Sequence, residues 1–170
     1  MLKIKALKKN HDRAEFDCGN DEINEYLRRT ARQHLDKGMS RSFVIIDDDS
    51  PTKIIGYYTL AACDIHVEKL PRRYSKKYPP RAPAAKLARL AVSKTNQRQG
   101  FGTLMMVNAI ERIILVSKNI GIIGFFVDAK NEEAKGYYEQ FGFIPLPENP
   151  LELFLPIATL QRAYESIVQK

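Results

Sequence analysis

A short polar segment, Gln97-Arg98-Gln99-Gly100-Phe101-Gly102, constrains the fold more than any other stretch of the chain. It follows an apolar run that ends at Val92 and precedes a helical pattern from Phe101 to about Lys118. A strand that enters a helix through a glycine-bearing turn directs several backbone N–H groups at one point, with the positive end of the helix dipole behind them. The segment therefore predicts an anion site, typically for phosphate, although neither common nucleotide fingerprint, GxGxxG or GxxxxGKS/T, occurs in the chain.

The composition is typical of one soluble globular domain, with 170 residues of which 44% are hydrophobic and 28% charged. No apolar run is long enough to span a bilayer, and the charged start of the chain does not resemble a signal peptide, so a cytoplasmic location is expected. Neither cysteine has a ligand partner at metal-binding spacing, so no metal site is predicted. Twenty-seven Lys and Arg residues against twenty Asp and Glu residues favour a polyanionic partner such as RNA.

Apolar periodicity and turn residues predict an α/β fold whose element order is β-α-β-β-loop-β-α-β-α-β. Strands are predicted at 2–7, 42–47, 53–63, up to Val92, at 120–128 and at 151–156, and helices at 21–37, 101–118, 132–141 and 157–170. Residues 68–83 contain four prolines and predict a loop with at most a short helical piece. We expect a mixed, strongly twisted sheet flanked by helices in a single domain over residues 1–170.

Two motifs resemble those of the GNAT family of N-acetyltransferases. The family's pyrophosphate loop, Gln/Arg-x-x-Gly-x-Gly/Ala, is matched by Gln97-x-x-Gly100-x-Gly102, and its later motif is matched by Val127–Asn131 followed by Tyr138-x-x-x-Gly142-Phe143. Either half alone is weak, but the two together, about thirty residues apart and in the expected strand and helix contexts, are specific over residues 85–145. The resemblance implies the GNAT fold and acetyl-CoA as cofactor.

A narrower resemblance extends over nearly the whole chain, to the acetyltransferase toxins of bacterial type II toxin–antitoxin systems. It rests on Phe16–Asn20 with Leu27, and on Gly56–Leu60, Ala88–Val92, Val127–Lys130 and Leu153–Pro156. In that family the substrate is the α-amino group of aminoacyl-tRNA, and the partner is a small ribbon-helix-helix antitoxin. The resemblance thus implies a toxin that acetylates charged tRNA and blocks translation, and homodimers are common among similar proteins.

The cofactor-binding set combines the glycine turn with residues that the resemblance adds, in the strand before the turn and in the second motif. Glycine side chains leave room for the backbone to approach phosphate oxygens, and Arg98 adds charge. The resemblance implies that Leu90–Val92 binds the pantetheine arm and that a backbone N–H of this strand stabilises the oxyanion. The expected set is Leu90, Ala91, Val92, Gln97, Arg98, Gln99, Gly100, Phe101, Gly102, Thr103, Asn131 and Tyr138.

The resemblance implies that Tyr138, four residues before Gly142-Phe143 in the family's motif, is the general acid, whereas the residues alone favour a core tyrosine. A phenol with an ordinary pKa near 10 suits the acid role, since it is protonated at neutral pH and able to donate a proton to the departing thiolate. The alternative for Tyr138 is a core tyrosine on an aromatic helix face with Tyr137 and Phe141. Asn131 is expected to cap its helix, a role that is compatible with a hydrogen bond to the cofactor. Of Tyr57 and Tyr58, which face opposite sides of their strand, one is expected in the core and the other is a candidate for the acceptor pocket, and the sequence does not decide which.

No general base can be identified, since His11, His34 and His66 lie in no motif. Its absence is compatible with an aminoacyl ester, whose α-amine titrates below the ordinary value near 8 and is partly neutral at pH 7. A lysine side chain has an ordinary pKa near 10.4, so its deprotonation at pH 7 depends more on an enzyme base. The sequence therefore mildly favours an α-amine acceptor.

The predicted RNA-binding residues are basic side chains in and after the proline-rich loop. Contacts of this kind with phosphates are additive and sensitive to salt. The alternative is an ordinary solvated basic loop, and Tyr74 and Tyr78 within it are suited either to stacking on bases or to anchoring the loop. The set is Arg72, Arg73, Lys76, Lys77, Arg81, Lys86 and Arg89.

Two other functions remain open from the sequence alone. The first is a GNAT enzyme that acetylates a protein or small-molecule amine, against which the basic loop argues mildly. The second is a basic binding module without acetyltransferase activity, in which substitution of Tyr138 has no effect.

Overall fold

The computed structural model describes residues 1–168 and contains one mixed sheet of seven strands. The strands are β1 (Leu2–Ala6), β2 (Arg41–Asp47), β3 (Gly56–His66), β4 (Arg81–Val92), β5 (Gly124–Asp128), β6 (Ile144–Pro145) and β7 (Glu152–Pro156). Their order across the sheet is β1-β2-β3-β4-β5-β7-β6. The β4–β5 pair is parallel, whereas β1–β2, β2–β3, β5–β7 and β6–β7 are antiparallel, so the expectation of a mixed sheet is confirmed.

Helices flank this sheet, as expected. They are α1 (Asp21–Glu25), α2 (Ala31–Asp36), α3 (Arg72–Ser75), α4 (Phe101–Ser117), α5 (Glu132–Glu139) and α6 (Ile157–Val168). A π-helical turn, Tyr26–Thr30, joins α1 to α2, where the sequence predicted a continuous helix. Asn20 caps α1 by accepting a 3.2 Å hydrogen bond from the Ile23 N–H.

The chain folds as two compact units, and the first contains residues 1–61 and 88–109. Its core lies between α1 with the following π-helical turn and the strands β2 and β3. The buried residues that pack together there are Leu7, Phe16, Tyr26, Leu27, Ala31, Val44, Ile46, Ile54, Tyr57 and Ala91. Both Tyr57 and Tyr58 are fully buried, and their hydroxyls donate to the Ile23 carbonyl at 2.7 Å and to Asn108 Oδ1 at 2.5 Å.

The second unit contains residues 62–87 and the chain from Ile110 onward. In it β4 pairs with β5 from Ala85–Leu87 to Phe125–Val127. One core cluster combines strand residues with the segment that leads into α3, and consists of Val67, Leu70, Ala82, Ala84, Ile123, Phe126, Leu146 and Phe154. Tyr74 and Tyr78 pack against this cluster, so the proline-rich segment is attached to the core by its aromatic side chains.

Several boundaries differ from those predicted, and one strand was missed. β4 begins at Arg81, inside the segment predicted as a loop, since Pro83 is accommodated in the strand and its carbonyl accepts from the Ile123 N–H at 2.9 Å. β5 begins at Gly124, and the apolar residues before it lie outside the strand, with Ile120 62% exposed. The two-residue strand β6 was not predicted, because it is too short to show a period. The last two residues of the predicted C-terminal helix lie outside the described residues.

Within residues 1–168, no helix is long and apolar enough to cross a membrane.

Candidate active site

The segment between β4 and α4 forms a tight connection with two left-handed residues. Arg98 has φ of 63° and Gly100 has φ of 85°. Alternation of left- and right-handed residues turns successive N–H groups toward one side of the chain, which creates a concave anion site. The Leu104 N–H donates to the Gly100 carbonyl at 3.1 Å, so α4 starts immediately after this turn. Helix geometry leaves the first-turn N–H groups of Phe101 and Gly102 without a partner inside the helix.

The side chain of Gln97 holds this connection in place by hydrogen bonds to two backbone carbonyls. Its Nε2 donates to the carbonyl of Val92, at the end of β4, and to the carbonyl of Cys18, both at 3.0 Å. Gln99 makes one bond of the same kind, to the Thr95 carbonyl at 3.3 Å. The two glutamines therefore position the turn by hydrogen bonds to the backbone. The Arg98 side chain is exposed beside it.

The predicted cofactor strand, Leu90–Val92, lies beside β3. The Ser93 N–H donates to the Ile55 carbonyl at 2.8 Å, so the odd-numbered residues of this stretch direct their N–H groups toward β3. By alternation Leu90 and Val92 direct theirs away from β3, and Ala91 lies in the core of the first unit. The pairing of β4 with β5 ends at Leu87, before this stretch, and the assignment of Leu90 and Val92 to the pantetheine arm stays a prediction.

Tyr138 lies on α5 in the second unit, beside a cavity of about 320 Å³. The cavity is lined by Lys130, Asn131, Glu133, Ala134, Tyr137 and Tyr138. Asn131 caps α5, because its Oδ1 accepts from the Ala134 N–H at 2.8 Å. Two of the predicted site residues, Asn131 and Tyr138, are therefore brought to one cavity.

The Tyr138 ring is partly buried among aromatic side chains. Its ring centroid lies 5.5 Å from that of Tyr137 and 5.9 Å from that of Phe143. Burial, with a smaller contribution from Tyr137, raises the pKa of Tyr138 to about 12. The phenol is consequently protonated throughout the neutral range, and it is a hydrogen-bond donor. The ring thus packs among aromatic side chains, as the core interpretation expects, and the acid role of Tyr138 stays a prediction.

Four of the seven predicted RNA-binding cations form one exposed cluster. Arg72 and Arg73 lie on α3, and Lys76 and Lys77 follow it directly. Within residues 1–168 no carboxylate forms an ion pair with any of the four. We call these four residues the α3 cluster.

Tyr74 attaches the α3 cluster to the sheet. Its ring packs edge-to-face on Phe154 with centroids 5.5 Å apart, and the cations of Arg73 and Lys77 lie 4.8 Å and 5.6 Å from its centroid. Of the two roles open from the sequence, the structure shows Tyr74 as an anchor of the loop.

The other three predicted cations have different surroundings. Arg81 pairs with Asp64, and Lys86 pairs with Asp128 at 2.7 Å. Arg89 is half-buried, with its guanidinium carbon 4.6 Å from the ring centroid of Tyr26. The structure therefore separates the predicted set into an unpaired cluster, two ion-paired side chains and one stacked arginine. The sequence missed Tyr26, since its only signal was a place in a helical repeat.

The described part of the chain holds no group of three or more His, Cys, Asp or Glu side chains arranged for a metal ion. The three histidines are widely dispersed along the chain. His11 is buried, its Nδ1 accepts from the Lys8 N–H at 2.9 Å, and burial together with Lys5 and Lys8 lowers its pKa. His11 thus has a structural role in a turn.

A family model described as an acetyltransferase (GNAT) domain matches residues 39–145. A tRNA-acetylating toxin of Mycobacterium tuberculosis is 32% identical over 144 residues, which cover 85% of this chain and 85% of the relative.

Two solved structures are similar over nearly all of their length. The structure of AtaT complexed with acetyl-methionyl-tRNAfMet has a TM-score of 0.86 at 32% identity, and the match covers 96% of this chain and 99% of AtaT. A tyrosine-to-phenylalanine mutant of AtaT bound to the C-terminus of the antitoxin AtaR has a TM-score of 0.79 at 31% identity, with 96% and 98% coverage.

Proposed function

Because the chain belongs to the GNAT acetyltransferase family, we propose that it is a toxin that acetylates the α-amino group of aminoacyl-tRNA and so blocks translation. It is an N-acetyltransferase that uses acetyl-CoA. The observation that carries the choice of acceptor is the α3 cluster, four exposed cations without carboxylate partners in the described chain. An acceptor with a phosphate backbone meets such a surface favourably, whereas a small neutral amine gains nothing from it.

The end of β4 and the turn between β4 and α4 fit acetyl-CoA. The left-handed turn at Arg98 and Gly100, followed by the start of α4, suits a diphosphate, since backbone N–H groups and an arginine meet there. The N–H groups of Leu90 and Val92 suit the amide-bearing arm and the thioester oxygen. When bound, acetyl-CoA supplies an activated acetyl group as a thioester. We assign the whole predicted cofactor set, from Leu90 to Tyr138, to this ligand.

Tyr138 is the proposed acid. Its raised pKa keeps the proton on the phenol oxygen, but the same shift makes complete transfer to a thiolate unfavourable, because an alkyl thiol has an ordinary pKa near 8.5. We therefore assign to Tyr138 a hydrogen bond to the departing sulfur that stabilises the negative charge developing there, while the proton that the thiolate finally takes up balances the one that the amine loses as the amide forms. No basic side chain is assigned, since the α-amine of an ester is partly neutral at pH 7.

The assembly that we propose follows from the same family. A ribbon-helix-helix antitoxin neutralises the toxin, the toxin forms a homodimer, and it acts in the cytoplasm, where aminoacyl-tRNA is located. We propose that the whole chain, residues 1–170, is one acetyltransferase domain. The net charge of +7 suits an antitoxin with an acidic segment.

The decisive experiment measures transfer of label from acetyl-CoA to bulk aminoacyl-tRNA, with deacylated tRNA and a lysine peptide as controls. Label on the charged tRNA alone is expected. Label on the peptide alone would leave the acetyl-CoA site in place and overturn the RNA-linked acceptor. The matching cellular result is that expression without a partner is harmful and that Tyr138→Phe relieves the harm.

A further inference from the structure

Arg89 is held in one orientation by its neighbours in the first unit. Its guanidinium lies over the ring of Tyr26, and its Nη1 donates to the Ala88 carbonyl at 2.8 Å. Tyr26 is itself fixed, since its hydroxyl is within hydrogen-bond distance of Ser40 Oγ at 3.0 Å and His34 Nδ1 at 3.3 Å. The ring is only 9% exposed. An arginine on such a platform loses little side-chain entropy when it binds a ligand.

This guanidinium lacks a negative partner in the described part of the chain. Within residues 1–168 no carboxylate forms an ion pair with Arg89, although its side chain is half-buried. A partly desolvated cation gains from an anion more than an exposed one does, because water screens it less. Stacking on a ring leaves the in-plane N–H groups of a guanidinium directed outward, in the fork that matches two phosphate oxygens.

The position of Arg89 places this fork beside the site of transfer. Its Cα is about 3.8 Å from that of Leu90, whose N–H is directed away from β3 and is assigned above to the arm of acetyl-CoA. The side chains of Arg89 and Ala91 share one face of the strand by alternation. An anion at Arg89 is therefore about one side-chain length from the backbone N–H of Leu90.

We propose that Arg89 binds the last phosphodiester of the acceptor RNA, the one that joins the terminal adenosine to the nucleotide before it. This inference rests on the proposed function. Arg89 is then a specificity residue that places the aminoacyl ester at Leu90, and Tyr26 is the positioning residue that holds Arg89. The α3 cluster binds RNA phosphates without selecting this one.

The diphosphate of acetyl-CoA is a second phosphate group that the Arg89 guanidinium is suited to bind. One experiment distinguishes it from the phosphodiester of the RNA. Aminoacyl-tRNA is assembled by ligation with either a natural last phosphodiester or an uncharged methylphosphonate in its place. Acetylation is measured for the wild type, for Arg89→Met and, as a matched loss of one cation, for Lys76→Ala. The readouts are kcat/KM for each RNA and KM for acetyl-CoA.

For the wild type, the neutral linkage is expected to lower kcat/KM about 10- to 100-fold, the range for hydrogen bonds to a charged group. Arg89→Met should lose a similar factor with the natural RNA, and the neutral linkage should then cost nothing more. Lys76→Ala should still show the full effect of the linkage. If Arg89→Met does not fold, Arg89→Lys keeps the charge and stem without the fork, and its linkage effect should be clearly smaller than that of the wild type.

Three results would overturn the inference. Equal rates of the wild type on the two RNAs would remove Arg89 from the last phosphodiester and leave RNA acetylation established. A full linkage effect in Arg89→Met together with a raised KM for acetyl-CoA would assign the guanidinium to the cofactor. No acetylation of either RNA would reject the proposed function itself.

Discussion

The ring of Tyr138 packs edge-to-face against that of Tyr137, with centroids 5.5 Å apart and planes at 68°. The two phenols are adjacent in sequence and line the same cavity, and burial raises the pKa of Tyr138 to about 12. The pair therefore offers a matched test in which the same atom is removed from neighbouring positions.

We expect Tyr138→Phe to lower kcat about 100- to 10,000-fold, the usual contribution of a positioned acid, with a smaller change in KM for acetyl-CoA. Tyr137→Phe should retain a rate within about tenfold of the wild type. Steady-state kinetics with aminoacyl-tRNA check both variants. Equal losses of kcat in the two variants would mean that the substitutions disturb the aromatic packing of α5 and that Tyr138 does not act as a proton donor.

The pH dependence should reflect the acceptor and not an enzyme base. The amine reacts in its neutral form, so kcat/KM should rise with pH through the pKa of the ester α-amine, below the ordinary value near 8. Tyr138 acts in its protonated form, so activity is lost only as pH rises through its raised pKa of about 12. We therefore expect a plateau with no alkaline decline below about pH 10. A decline near pH 8 or 9 would show that another group donates the proton.

Substitution of glycine by alanine should have opposite effects on stability at Gly100 and at Gly136. A Cβ at Gly100 or at Gly136 meets no atom within 4 Å, but only Gly100 has a left-handed backbone, with φ of 85°. Gly100→Ala should destabilise the fold by about 1–2 kcal/mol or force the turn to change, and it should raise KM for acetyl-CoA. Gly136→Ala, inside α5, should stabilise by about 1 kcal/mol. Thermal unfolding measures both, and a stable Gly100→Ala with unchanged KM would remove the turn from the phosphate site.

The sequence predicted most of the fold because its signals were local. The glycine turn, the cap at Asn131 and the periodicity of α4 each depend on a few adjacent residues. What it could not predict depends on tertiary contacts. Pro83 lies in a strand because β4 pairs beyond it, and the π-helical turn at Tyr26 interrupts a regular repeat.

The site shows the same division. Gly100 was identified by its motif, whereas the division of the basic residues depends on partners that are distant in sequence. Asp128 pairs with Lys86, and Tyr26 stacks on Arg89, across separations that no sequence period reports. A count of charges along the sequence does not distinguish the ion-paired and stacked cations from the unpaired ones.

The difference between paired and unpaired cations gives the last prediction. Each residue of the α3 cluster that contacts a phosphate should, when changed to alanine, reduce the slope of log affinity against log salt by about 0.7–0.9. Arg73→Ala and Lys76→Ala should both show this between about 50 and 200 mM salt. Arg81→Ala is the matched control, since Arg81 is ion-paired with Asp64. Its slope should equal that of the wild type, although the affinity itself falls because the remaining Asp64 carboxylate repels RNA. Binding of aminoacyl-tRNA, measured by filter retention at several salt concentrations, distinguishes the two behaviours. If the slopes of Arg73→Ala and Lys76→Ala equal that of the wild type, the α3 cluster is an ordinary solvated surface and RNA is bound elsewhere on the protein.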